Sequence, residues 1–242
     1  MSINTPITKE KINDYLRELA KEYRRRSGKS IPAEIILVGG AAIMINYGFR
    51  DTTYDIDAVI QASSVMKEAA NYIGDCLGLQ SGWLNMDFRH TKSYSEKLLQ
   101  YSVYYKTYSN ILTIRTVTAE YLIAMKLMSG REYKYDLSDI AGIFYEHSQK
   151  GNPISQEDIN RAVVELYESW DNIPQTSIVF LESVFASGDY LKVYNEIREN
   201  EREAKEILLN FDKEYPNVLT TDNLSDIILA AREKSKVNER EN

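Results

Sequence analysis

Histidine and cysteine are nearly missing from this 242-residue chain, which has His90, His147 and Cys76 and no others. One cysteine cannot close an internal disulfide, and with no CxxC partner it offers neither a zinc half-site nor a redox pair. Two histidines so far apart in sequence argue against a histidine-based metal centre. Eleven glycines and five prolines are too few for a collagen-like or low-complexity chain. No apolar run approaches the roughly 18 residues of a membrane span. Residues 1–10 lack a basic, apolar and small-residue leader pattern, so the expectation is a cytoplasmic protein without a membrane partner. Positive charge is short as well: 29 Lys and Arg against 36 Asp and Glu leave a net −7. That balance excludes a surface coated in basic residues for duplex nucleic acid.

What is present is an ordinary globular composition, 43% hydrophobic and 27% charged, long enough for a large core in one domain or two. The acidity is uneven. Residues 1–150 hold 19 basic against 17 acidic residues, net +2, and residues 151–242 hold 10 against 19, net −9.

Periodicity places the elements. Ile12, Tyr15, Leu16, Leu19 and Tyr23 repeat at helical spacing over 8–26, with Glu18, Lys21 and Glu22 off that stripe. The apolar run 34–38, closed by Gly39-Gly40, predicts a strand buried on both faces and a sharp turn. A short helix over 41–47 follows. Residues 53–60 alternate, which in a strand sends Asp55 and Asp57 to one side and Ile56 to the other. A helix is expected over 63–77, strands over 101–105 and 111–117, and helices over 118–127 and 137–147. Ser155 and Asp158 predict a capping box, and further helices fit 176–187, 189–213 and 222–235. The expected fold class is α+β, a small mixed sheet flanked by helices in residues 1–150 and a helical bundle in 151–242.

The stretch that carries chemistry is Leu37-Val38-Gly39-Gly40, fourteen residues, then Asp55-Ile56-Asp57. Glycines after a buried strand let backbone approach a phosphate, with amides at a helix N-terminus facing the anion. Two carboxylates on one face of a neighbouring strand can share a divalent cation, and magnesium favours few carboxylates plus substrate phosphates. Asp is a poor strand former, so a metal supplies a reason for the pair.

This order of motifs resembles the nucleotidyltransferase superfamily with the polymerase-β-like core. More narrowly, Gly39-Gly40, Gly48-Phe49-Arg50 and Thr53-Tyr54-Asp55-Ile56-Asp57 resemble the "GG…G-x-R-x-T-x-DID" of bacterial AbiEii-type toxins and related nucleotidyltransferase-like proteins. Tyr121-Leu122-Ile123-Ala124-Met125-Lys126 is similar to that group's second motif, a helix with an essential lysine, and Asp136-Leu137-Ser138-Asp139-Ile140 to its D-x-x-D-[LI]. Trp83-Leu84-Asn85 is similar to a W-L-N segment of the relatives. The resemblance spans roughly 34–145. It implies that Gly39 and Gly40 cradle phosphates, with Arg50 and Thr53 beside them in the nucleotide site. It further implies that Asp55 and Asp57 bind Mg2+, that Lys126 neutralises triphosphate charge, and that Asp136 or Asp139 adds a polar or basic function.

The residues themselves leave several alternatives open. A lysine on the buried side of a helix needs a counter-charge, from a nucleotide phosphate or one of these aspartates. Many superfamily members carry a third carboxylate on a later core strand. Here the strands at 101–105 and 111–117 hold no Asp or Glu, only Arg115. Asp136 or Asp139 then completes the site, with Asp87 a further candidate, or the metal site is weak, or catalysis is lost. Arg50 can contact a triphosphate or pair with Asp51 or Asp57. Arg24-Arg25-Arg26 with Lys29 can steer RNA or simply complement the helix dipole. The tyrosines around 101–108 can stack on bases, though strand aromatics more often pack, and His147 reads as structural.

By resemblance, the expected activity is magnesium-dependent transfer of a nucleotidyl group from a nucleoside triphosphate to tRNA or a protein side chain, as a toxin paired with an antitoxin protein. A catalytically impaired nucleotide-binding module and a small-molecule nucleotidyltransferase of the aminoglycoside-modifying type are the alternatives.

Overall fold

The computed structural model describes residues 6–62, 64–131, 133–220 and 223–241. A two-residue strand, β1 (Ile7–Thr8), leads into α1 (Lys9–Ser27), whose Thr8 side chain accepts the Lys11 amide as an N-cap. The central strand β2 (Ala33–Leu37) runs into α2 (Gly39–Asn46). The two glycines thus form the helix's first turn, where the sequence placed them before it. Then come β3 (Thr52–Thr53), β4 (Ile56–Gln61) and α3 (Val65–Leu77). The expected helix starts at Ser63 and Asp222 lie outside the described residues.

A short strand β5 (Leu84–Asn85), two 3-10 turns, β6 (Ser102–Tyr108) and β7 (Leu112–Val117) complete the sheets. Helices α4 (Ala119–Ser129), α5 (Asp136–Gln149), α6 (Gln156–Tyr167), α7 (Gln175–Ser187), α8 (Tyr190–Glu214) and α9 (Leu224–Glu241) follow. The fold class is the α+β arrangement read from the sequence. None of the described helices is long and apolar enough to cross a membrane.

Five strands form one mixed sheet in the order β5-β4-β2-β7-β6, and β1 and β3 form a separate antiparallel pair. β2 runs antiparallel to β4 and parallel to β7. Its alternation sends Ile35 and Leu37 towards α1 and α3, with Ile12, Leu16 and Met66. Ile36 and Val38 turn to the opposite face, against α4 and α5. This is the strand buried on both faces that its composition predicts. Helix α4 is enclosed between that face and α5 to α7, so residues 121–128 are all buried.

Local differences have physical causes. Glu22 is buried, not solvated, because Arg25 and Arg26 at i+3 and i+4 both bond its carboxylate, which they hold down to about 2. Thr118 stands at the α4 N-cap, but its hydroxyl makes no capping bond. Tyr101 lies outside β6 and stacks on Tyr121, ring centroids 4.2 Å apart. The Ser155–Asp158 capping box is formed in both directions.

Candidate functional site

A cavity of about 510 Å³ opens where the N-terminus of α2, the start of β4, helix α4 and helix α8 meet. Gly39, Gly40, Arg50, Thr53, Asp55 and Asp57 line one side of it, and Lys126 and Asp136 another. Asp139 stands behind the wall, bonded to both Lys126 and Arg50.

The glycine pair has a definite steric task. Gly39 has φ +57°, and a β-carbon there would sit 2.6 Å from Oδ2 of Asp57. A β-carbon on Gly40 would lie 2.6 Å from an Arg50 nitrogen and 2.8 Å from Oγ1 of Thr53. The side chains of Asp57, Arg50 and Thr53 therefore converge on the first turn of α2. No side chain caps that turn; Val38 occupies the N-cap position.

Asp55 lies in the bend before β4, and Asp57 is the strand's second residue. Register places Asp57 opposite Asn85 of β5. The Asn85 amide nitrogen donates to Oδ1 of Asp57 at 2.7 Å, while its oxygen accepts the backbone N–H of Asp87 at 2.9 Å. The Asp87 amide thus orients Asn85 towards Asp57, while Asp87 itself is exposed and is not among the residues that line the cavity. Burial, and then the charge of Asp55, push the Asp57 carboxyl above its ordinary range. Neither aspartate has an ion-pair partner among the described residues. A part-buried like-charge pair of this kind fits a divalent cation. No group of three metal-ligating side chains occurs among the described residues, so the remaining ligands would have to come from water or substrate phosphates, as suits magnesium.

Behind the cavity lies a buried ionic network. The Lys126 ammonium donates to Asp136 at 2.7 Å and reaches Asp139 at 2.9 Å. Arg131 donates to Asp136 at 2.8 Å, and Arg50 to Asp139 at 2.5 Å. Burial opposes the charge on Lys126, but the two aspartates outweigh it and its pKa rises. Asp136 resists burial in the same way: Lys126 and Arg131 hold it far below the ordinary carboxylate range. Lys126 takes its counter-charge from the aspartates, one of the two sources its position allowed. Arg50 pairs with neither Asp51 nor Asp57 but with a residue 89 positions away.

Several lining residues have no signal in the sequence as site residues. Asn85 stands in the Trp83-Leu84-Asn85 segment that carries part of the resemblance, but the resemblance gives it no site role, and it becomes a site residue through its pairing with β4. Lys134 lies in the loop between α4 and α5, lines the cavity, and has its pKa lowered by burial and then by Arg131. Lys205, Leu208 and Asp212 come from α8, in the acidic last third. Lys205 stands 5.3 Å from the Tyr54 ring centre. By contrast, most of the accessory candidates are structurally occupied, while Lys29 and Tyr104 are exposed. Arg24 bonds the Ser109 carbonyl, Arg25 and Arg26 hold Glu22, and Arg26 also reaches Glu68. Tyr105 and Tyr108 both donate to Asn13, and His147 contacts Tyr47 and the Asn152 carbonyl.

Comparison with known proteins adds one finding. Residues 14–147 match the model of a family described as a nucleotidyltransferase of unknown function (DUF6036). No curated protein and no solved structure matches the chain.

Proposed function

We propose, starting from the fact that this chain belongs to the DUF6036 family of nucleotidyltransferases of unknown function, that it transfers a nucleotidyl group from a nucleoside triphosphate with magnesium held by Asp55 and Asp57. The observation that carries the reading is the unpaired, part-buried Asp55/Asp57 couple facing the uncapped first turn of α2. Magnesium bound there would draw charge from the α-phosphate. The chain's own groups do the rest. The α2 amides face the phosphates, and Asn85 keeps the Asp57 carboxylate turned into the cavity. The Lys126 network holds α4, α5 and the loop between them in fixed relation.

In the transfer, the acceptor hydroxyl oxygen bonds to the α-phosphorus. The bond from that phosphorus to the bridging oxygen breaks, pyrophosphate leaves with the electron pair, and the hydroxyl proton passes to solvent. The AbiEii resemblance extends the proposal to a tRNA or protein hydroxyl as acceptor and to an antitoxin as partner. That no group of three metal-ligating side chains occurs among the described residues favours a second reading, a module that binds the metal–nucleotide complex without turning it over.

One experiment separates these readings. The protein is incubated with cell extract and each nucleoside triphosphate, labelled on the α or the γ phosphate, and the RNA, protein and small-molecule fractions are counted. Transfer predicts α-label in one fraction and γ-label in pyrophosphate. Magnesium-dependent binding with no α-label in any fraction supports the binding module.

A further inference from the structure

Five cations line the cavity: Lys126, Arg131 and Arg50 are committed to aspartates, Lys205 stands 5.3 Å from the Tyr54 ring centre, and the fifth is Lys134. Lys126 is held by two aspartates at 2.7 and 2.9 Å, Arg131 by Asp136 at 2.8 Å, and Arg50 by Asp139 at 2.5 Å. Lys126 is also buried, with 8% of its surface exposed. For it to meet a phosphate, at least one of these short buried bonds would have to open.

Lys134 differs from the three paired cations, and unlike Lys205 it stacks on no ring among the described residues. It lines the same cavity, yet its ammonium has no hydrogen-bond or ion-pair partner among the described residues. Asp55 and Asp57 lie near enough to favour its charge. The loop that carries it is anchored on both sides of it. Tyr133 packs into the α8–α9 cluster with Leu208 and Ile228. The Tyr135 ring lies under Arg198 at 3.6 Å and Arg50 at 5.4 Å. A backbone fixed by its neighbours presents an unpaired ammonium in the cavity with two carboxylates that have no ion pair among the described residues, the arrangement that a magnesium–polyphosphate, itself of mixed charge, would complement.

We propose, resting on the nucleotidyl-transfer reading, that Lys134 is the residue that meets the β- and γ-phosphates of the nucleotide, and that Lys126, to which the resemblance gives that task, is a positioning residue for the loop and for α5. Lys134 would then stabilise the pyrophosphate as it leaves, and the Lys126–Asp136–Arg131 bonds would keep the loop at its height above Asp57.

The test measures the affinities of wild type, Lys134→Gln and Lys134→Arg for all four nucleoside triphosphates, the matching monophosphates and inorganic tripolyphosphate, each with magnesium, by calorimetry. The proposal expects Lys134→Gln to weaken triphosphate and tripolyphosphate binding about ten- to hundredfold. Monophosphate affinity should be unchanged, and Lys134→Arg should recover most of the loss. Equal weakening of mono- and triphosphate, or no weakening, overturns the role of Lys134 while leaving the nucleotidyl-transfer reading standing. Wild-type protein that binds none of these ligands overturns that reading, and this role with it.

Discussion

Gly39 leaves open the space that the Asp57 carboxylate fills: a β-carbon at position 39 would lie 2.6 Å from Oδ2 of Asp57. The backbone at Gly39 also has φ +57°, which costs a side-chain-bearing residue about 1–2 kcal/mol. The glycine and the aspartate are therefore one unit, and the closeness of α2 to β4 depends on both.

Gly39→Ala should accordingly lower thermal stability and displace Asp57. Loss of magnesium–nucleotide affinity should reach at least about tenfold, since a misplacement near 1 Å suffices for losses of that order. Thermal unfolding with and without magnesium–nucleotide checks this: the variant should lose most of the ligand-induced rise in Tm.

Asp57→Asn should stabilise the free protein. An amide oxygen still accepts from Asn85, and the cost of a buried charge beside Asp55 disappears. The gain at neutral pH is read as a higher Tm in metal-free buffer.

Lys126→Met should destabilise by about 3–5 kcal/mol, because it leaves Asp136 and Asp139 buried with one partner fewer each. Urea unfolding measures the change. A loss below about 1 kcal/mol would show that Arg131 and Arg50 alone suffice to hold the aspartates.

Glu201 of α8 gives the stability a pH dependence. Its carboxylate accepts the Ser138 amide at 3.1 Å and the Ser138 hydroxyl at 2.5 Å, and burial raises it to about 8. Between the unfolded value of 4.5 and about 8, the folded state keeps a proton that the unfolded state releases. Stability therefore falls as pH rises through this window, by at most about 1.4 kcal/mol per unit from this group, and levels off above it. Glu201→Gln should flatten that slope in unfolding curves collected from pH 5 to 9.

Much of this fold is legible in the sequence because its signals are local. The apolar run of β2 and the α1 stripe depend on side-chain direction along one element, whereas the single strand expected over 53–60 is broken by a bend at 54–55, so that Asp55 lies outside β4. The features that are not legible depend on contacts across long separations. β5 is two residues long, and Asn85 acquires its role only by standing opposite Asp57. Glu201 reads as one more charge on an acidic helix until α8 packs on Ser138. The motifs bring Lys126, Asp136 and Asp139 to notice, but that they bond one another, and that Arg50 joins them, follows from how α4, α5 and the α2–β3 segment meet. The same holds for Lys134, which no motif contains.

The central claim is that Asp55 and Asp57 serve transfer of the α-phosphate, and Asp57→Asn tests it most directly, because the variant is expected to fold at least as well as wild type. Incorporation of α-label into the acceptor fraction should be magnesium-dependent in the wild type. In Asp57→Asn it should fall by at least about a hundredfold, with Tm unchanged or raised. Equal incorporation by the two proteins at equal Tm would contradict the account.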